Sequence, residues 1–284
     1  MSGALQAILG RNGYYDRRGD DAALLIHGLS GAPAEMRSVA NELKRGGFSV
    51  MCPQLAGHGG TSGDLKRSRW SDWYHTVGAA FDELRGEHRR VFVAGLSMGA
   101  LLALLLAAER GRRVDGLALL STTFFYDGWN VPRFRRRMLL PLVLYTPLRH
   151  FLSWNEPPPY GIKCERTRAM VHSALSLRDE GTAAKHGIFS VPAVTIREGE
   201  RLIRAARRAL SSVISPTLLV HATEDDMASV RNVHYVAEHI AAERVETYYV
   251  DDSYHVLTLD RRKSDVASRI GQFFQNCPGE AVPA

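Results

Sequence analysis

An α/β fold is what this sequence predicts, with a mostly parallel sheet sheathed by helices on both faces and a helical segment inserted late in the chain. Three observations predict it. Short runs of strand length are apolar at successive positions, as strands buried on both faces must be. Amphipathic stretches of helical length alternate with those runs, the pattern of strand–helix–strand crossovers. A long stretch, 123–212, breaks the alternation and carries Pro132, Pro141, Pro147, Pro157–Pro159 and Pro192.

The elements follow in order. Strands are expected at Ala22–Ile26, Phe48–Cys52, Val91–Ala94, Gly116–Leu120, Thr217–Val220 and Val245–Val250. Helices are expected at Glu35–Arg45, Ser71–Arg85, Met98–Arg110, Val230–Ala242 and Ser264–Phe274. Within the insert, helical patterns run over Ile162–Leu177 and Gly199–Leu210, and no strand run stands out. The expected division is a core of 1–122 and 213–284 and a helical cap of 123–212, placed after the sixth strand if an edge strand precedes the others.

Composition bounds the function. The 284 residues are 45% hydrophobic and 23% charged, ordinary for a globular domain with a sizeable core. The formal charge is +6, yet 123–212 holds 15 Lys and Arg against 7 Asp and Glu, and the remainder 21 against 23. The basic character therefore belongs to the insert, and no nucleic-acid motif accompanies it, which argues against a nucleic-acid partner. Cys52, Cys164 and Cys277 lie far apart, which suits neither a disulfide framework nor a zinc site. With no secretory leader pattern and no apolar run long enough to span a bilayer, a cytoplasmic location is expected.

The strongest chemical signal is Gly95-Leu96-Ser97-Met98-Gly99, which follows the apolar run Val91–Ala94 and opens the apolar stretch Ala100–Ala108. A serine on a sharp strand-to-helix turn is the arrangement of a nucleophile elbow. The glycines let backbones approach, and the helix N-terminus offers free amides beneath the hydroxyl. Four motifs then resemble the α/β-hydrolases, in particular small bacterial carboxylesterases and the monoacylglycerol-lipase-like group. They are His27-Gly28-Leu29-Ser30-Gly31, Gly57-His58-Gly59, Gly95–Gly99 and Asp252–Asp260.

That resemblance implies an α/β-hydrolase fold and a Ser97–His255–Asp225 triad. A serine hydroxyl needs a base, and in the hydrolase order the base comes last, where His255 follows the final strand run; Tyr254 stands where the family usually has a small residue. The acid follows the seventh strand, where Asp225 matches the family position, with Asp226 and Glu224 as rivals. The oxyanion donors implied are the amides of Met98 and Leu29. Gly28 and His58 are expected at the substrate side, His58 either lining the site or packing beneath it. His27 is expected to brace the oxyanion loop, and His221, inside a strand run, to be buried structure.

The activity implied is hydrolysis of small to medium acyl esters, monoacylglycerols among them, through an acyl-enzyme and with no cofactor or metal. Thioester hydrolysis or acyl transfer would use the same residues, and a ligand-binding protein without turnover is the alternative of another class. Most of Phe124, Phe125, Trp129, Leu139, Leu140, Leu142, Leu144, Tyr145, Phe151 and Trp154 are expected to pack the insert onto the core. The Arg133-Phe134-Arg135-Arg136-Arg137 cluster is either a solvated face or a weak contact for an anionic membrane surface.

Overall fold

The computed structural model describes residues 3–131, 138–155, 157–176 and 190–278. Its strands are β1 (Tyr14–Asp16), β2 (Asp21–Ile26), β3 (Ser49–Cys52), β4 (Arg90–Leu96), β5 (Gly116–Leu120), β6 (Ser153–Asn155), β7 (Ser190–Pro192), β8 (Thr217–Ala222) and β9 (Val245–Val250). Seven of them form one sheet in the order β1-β3-β2-β4-β5-β8-β9, parallel except for β1.

The two-residue period of a strand explains the layering. In β2, Ala22, Leu24 and Ile26 face the cluster built with helices Trp70–Glu87 and Met98–Arg110. Ala23 and Leu25 face the opposite cluster, built with helices Arg37–Arg45 and Lys263–Gln275. A strand buried on both faces has no polar side to show, which is why β2, β4, β5 and β8 read as continuous apolar runs.

The order of strands fixes where a site can form. After β2 the chain winds outward to β3, then returns across β2 to lay down β4. The loops leaving β2 and β4 therefore diverge from adjacent C-terminal ends, with Ile26 opposite Gly95. That reversal opens a crevice at the sheet's carboxyl edge.

Six strands are expected before the insert; among the described residues five precede it. Upstream of β2 the chain contributes one edge strand, β1, whose three half-buried residues pair with β3. A second difference lies inside the insert, where β6 and β7 pair antiparallel with Trp154 opposite Val191. Each is three residues long, β6 is solvent-exposed and β7 ends in Pro192, so neither carries a hydrophobic alternation that a sequence could display.

The insert leaves β5 through 121–130 and returns through helix Ala193–Ala209, which buries Leu202, Ile203 and Ala206 against the core. The helix expected at Ile162–Leu177 is Glu165–Ser176; Leu177 lies outside the described residues. So does the whole Arg133–Arg137 cluster. Of the ten apolar residues between Phe124 and Trp154 expected to pack the insert onto the core, most do not, whereas Ile162, Val191, Leu202, Ile203 and Leu210 farther along are buried. Phe124 and Leu144 are buried, but Trp129, Leu139, Leu142, Tyr145, Phe151 and Trp154 are exposed, Phe151 to 84%.

Candidate active site

The elbow after β4 is strained, and two glycines make it fit. Ser97 has φ 55° and ψ −111°, a left-handed backbone that L residues avoid. A Cβ on Gly95 would stand 2.2 Å from the Gly99 carbonyl oxygen, and one on Gly99 would stand 2.3 Å from that of Ile26. Any larger residue at either position would force β4, the following helix and the end of β2 apart. Ser97 ends half-buried at the mouth of the crevice while its neighbours Leu96 and Met98 are buried.

Three side chains far apart in sequence meet there. His255 Nε2 lies 2.9 Å from Ser97 Oγ. Its Nδ1 lies 2.8 Å and 3.0 Å from the two carboxylate oxygens of Asp225. An ionised carboxylate can only accept, so Nδ1 carries the proton and Nε2 presents a lone pair to the serine hydroxyl, which donates to it. Burial works to raise the Asp225 pKa, but the charge of His255 and its hydrogen bond outweigh burial and hold the carboxyl below the usual range. Thr123 Oγ1 donates to the Ser121 carbonyl, and its oxygen stands 3.4 Å from Ser97 Oγ.

The rival acids are otherwise engaged. Asp226 Oδ1 accepts from the backbone N–H of His255 at 3.4 Å, not from its ring, and Oδ2 has no partner among the described residues. Burial raises the Asp226 pKa, the adjacent Asp225 charge adding to the effect. Glu224 points away to the Lys163 ammonium at 2.6 Å.

The loop after β2 comes close to Ser97. A Cβ on Gly28 would sit 3.8 Å from Ser97 Cβ, so the loop's backbone reaches the elbow directly. As the first residue of its helix, Met98 has an amide with no intrahelical acceptor. Leu29 follows Gly28 on the facing loop and packs against the core's first cluster. Glu35, which no sequence motif singles out, holds the loop: its carboxylate accepts from Gly28 N–H at 3.4 Å and fills the space that a Cβ on Gly31 would need.

His27 and His58 form a buried pair, their ring centroids 5.1 Å apart. The Leu55 amide donates to His27 Nε2, so the proton sits on Nδ1, which donates to the Gly28 carbonyl. Burial, with His58 beside it, takes the His27 pKa down to about 3. His58 stacks edge-on to Trp73 and is 2% exposed, and burial takes its pKa down to about 4. Of the two positions expected for His58, packing beneath the loop is the one the geometry matches.

The loop carrying His255 is tied to the insert. Asp260 accepts four backbone N–H groups, from Tyr254 at 2.7 Å, Lys163 at 2.9 Å, Cys164 at 2.7 Å and Arg261 at 2.9 Å. Tyr254 packs edge-on to Trp129, and Ser121 donates to the His255 carbonyl at 2.7 Å. No described group of three or more His, Cys, Asp or Glu side chains is arranged to hold a metal ion.

Known proteins resemble this chain over most of its length. A family model described as Hydrolase_4, serine aminopeptidase, S33, matches residues 19–262. A thermostable monoacylglycerol lipase of Bacillus sp. (strain H-257) is 25% identical over 279 residues, 98% of this chain and 100% of that protein. A carboxylesterase of Bacillus subtilis (strain 168) is 23% identical over 258 residues, 90% of this chain and 93% of that one. A solved structure from work on LipS and LipT, two metagenome-derived lipolytic enzymes, superposes with a TM-score of 0.79 at 23% identity. It covers 93% of this chain and 97% of that one.

Proposed function

We propose, from the premise that this chain belongs to the Hydrolase_4 family (serine aminopeptidase, S33) of α/β-hydrolase fold, that it hydrolyses carboxylic esters through an acyl-enzyme on Ser97. The observation that carries the reading is the continuous hydrogen-bond chain from Ser97 Oγ through the His255 ring to the Asp225 carboxylate.

In this mechanism His255 Nε2 takes the Ser97 proton as the hydroxyl oxygen bonds to the ester carbonyl carbon. The carbonyl oxygen becomes an oxyanion held by the amides of Met98 and Leu29. Asp225 stabilises the imidazolium without taking its proton. The tetrahedral intermediate collapses as His255 gives that proton to the leaving alcohol. Water then enters, loses a proton to Nε2, attacks the acyl carbon, and the acid departs as Ser97 is reprotonated.

The names of the two bacillary relatives support an acyl ester as substrate, monoacylglycerols included. The exposed apolar residues of the cap, 123–212, fit such a substrate, and its excess of basic residues supports weak contact with an anionic lipid surface. The cytoplasmic location expected from the sequence belongs to the same proposal; no described helix is long and apolar enough to cross a membrane, and the three cysteines are free.

Hydrolysis of p-nitrophenyl butyrate tests the reading. Ser97→Ala and His255→Ala should each lower kcat/KM by at least about 10⁴-fold. A fluorophosphonate probe should label the native protein and not Ser97→Ala. Full activity in Ser97→Ala overturns the proposal, and absence of both turnover and labelling favours a binding protein. An aminoacyl p-nitroanilide and an acyl-CoA run beside the ester read out amide and thioester cleavage, the former because the family's description includes aminopeptidase.

A further inference from the structure

Asp225 has a second imidazole against it. His221 lies on β8, four residues before the acid, and is 1% exposed. Its Nε2 is 2.7 Å from the Ala228 carbonyl oxygen and 3.4 Å from Asp225 Oδ2. A carbonyl can only accept, so Nε2 bears the proton and His221 is the donor; Nδ1 is buried with no partner among the described residues. The Ala228 amide in turn donates to Asp225 Oδ1 at 2.8 Å, beside that of Met227 at 2.9 Å. His221 thus closes the turn 225–228 from below: it fixes the carbonyl of the residue whose amide fixes the carboxylate.

We propose that His221 is a positioning residue for the acid of the triad, holding the Asp225 carboxylate toward His255 through the Ala228 turn and setting the positive end of its N–H, which donates to the Ala228 carbonyl, within 3.4 Å of Oδ2. The proposal rests on the Ser97–His255–Asp225 reading. The dipole's positive end partly offsets the carboxylate's charge and so weakens its pull on the proton of the His255 imidazolium. The charged and titratable groups around His221 are Asp225, His255 and Asp127, and Asp226 interacts in turn with Asp225 and His255. Asp127 is engaged with the Ser229 amide at 2.9 Å. Burial lowers the His221 pKa despite the opposing pull of the acid beside it, which favours the neutral ring.

The test is the pH dependence of kcat/KM for p-nitrophenyl butyrate. His221→Leu should move the acid limb upward by about half a pH unit, because the imidazolium gains stability once the dipole is gone. It should also lower the plateau roughly tenfold, as loss of an outer hydrogen-bond partner does elsewhere. His221→Gln, whose amide can place an N–H near the Nε2 position, should keep the native limb and most of the plateau. If His221→Leu fails to fold by thermal melting, His221→Asn takes its place, its amide being too short to reach Ala228.

A limb that stays put in the donor-less variant, or a Gln variant as impaired as that one, overturns the proposal. Ser97→Ala separates the two ideas. If it retains activity, the triad reading falls and this inference with it. If it is inactive and the His221 variants behave like the native protein, this inference alone falls.

Discussion

Asp225 and Asp226 are adjacent and both buried, yet their carboxylates face different groups. Asp225 takes the His255 ring N–H and two backbone amides, and ion pairing keeps it charged. Asp226 takes one long backbone contact, and burial favours its protonated form. The same substitution should therefore have unequal effects. Asp225→Asn removes the acceptor that sets the imidazole tautomer and should cost up to about 10⁴-fold in kcat. Asp226→Asn keeps an oxygen that can take the same single long backbone contact and should stay within about threefold, since no ion pair or saturated hydrogen-bond set is broken. Steady-state kinetics on the two variants checks this; the reverse order would move the acid to Asp226. The residue types at this site were legible in the chain: a serine between glycines, a histidine after the last strand run and an acidic trio after the strand before it. Which acid turns toward the ring depends on the turn at 225–228, and that turn is set by Ala228 and His221, whose roles no local pattern reveals.

At the scale of elements, the elbow is a contact between three backbones. The helix Met98–Arg110 begins so close to the end of β2 that a methyl on Gly99 would fall 2.3 Å and 2.6 Å from the carbonyl oxygens of Ile26 and His27. Backbone cannot yield as a side-chain end can. Gly99→Ala should lose about 3 kcal/mol of stability in urea unfolding, the upper part of the usual range for overpacking. It should also lose esterase activity, because the Met98 amide moves with the helix. Gly78, inside helix Trp70–Glu87, is the control: a Cβ there would meet only the end of the Arg110 side chain at 3.6 Å. Gly78→Ala should be neutral or stabilising by up to about 1 kcal/mol, as alanine is favoured over glycine in a helix interior. The strands and helices of the core were readable because each is long enough to show its period. Strands β1, β6 and β7 were not, because three residues with no alternating apolar face acquire their conformation from the partner they pair with.

Among the described residues, burial lowers the pKa of three histidines, His27, His58 and His221, and these couple stability to acid. An unfolded histidine takes up a proton near its ordinary value of about 6.5. In the folded chain burial takes His27 down to about 3 and His58 to about 4, and lowers His221 as well. Below pH 6.5 the unfolded state therefore binds more protons than the folded one, and stability must fall as pH falls. Each histidine adds up to about 1.4 kcal/mol per pH unit to that slope. Asp226 opposes it, since its raised folded pKa lets the native state hold a proton that the unfolded chain has released. Asp225, with its lowered pKa, begins to cost stability only at more acidic pH, so the window from pH 7 to 5 belongs mainly to the histidines. Urea unfolding at pH 7, 6 and 5 should show falling midpoints, and His58→Gln, which cannot protonate, should flatten the decline by up to one histidine's share. Equal slopes in the two proteins would mean that His58 is charged in the fold.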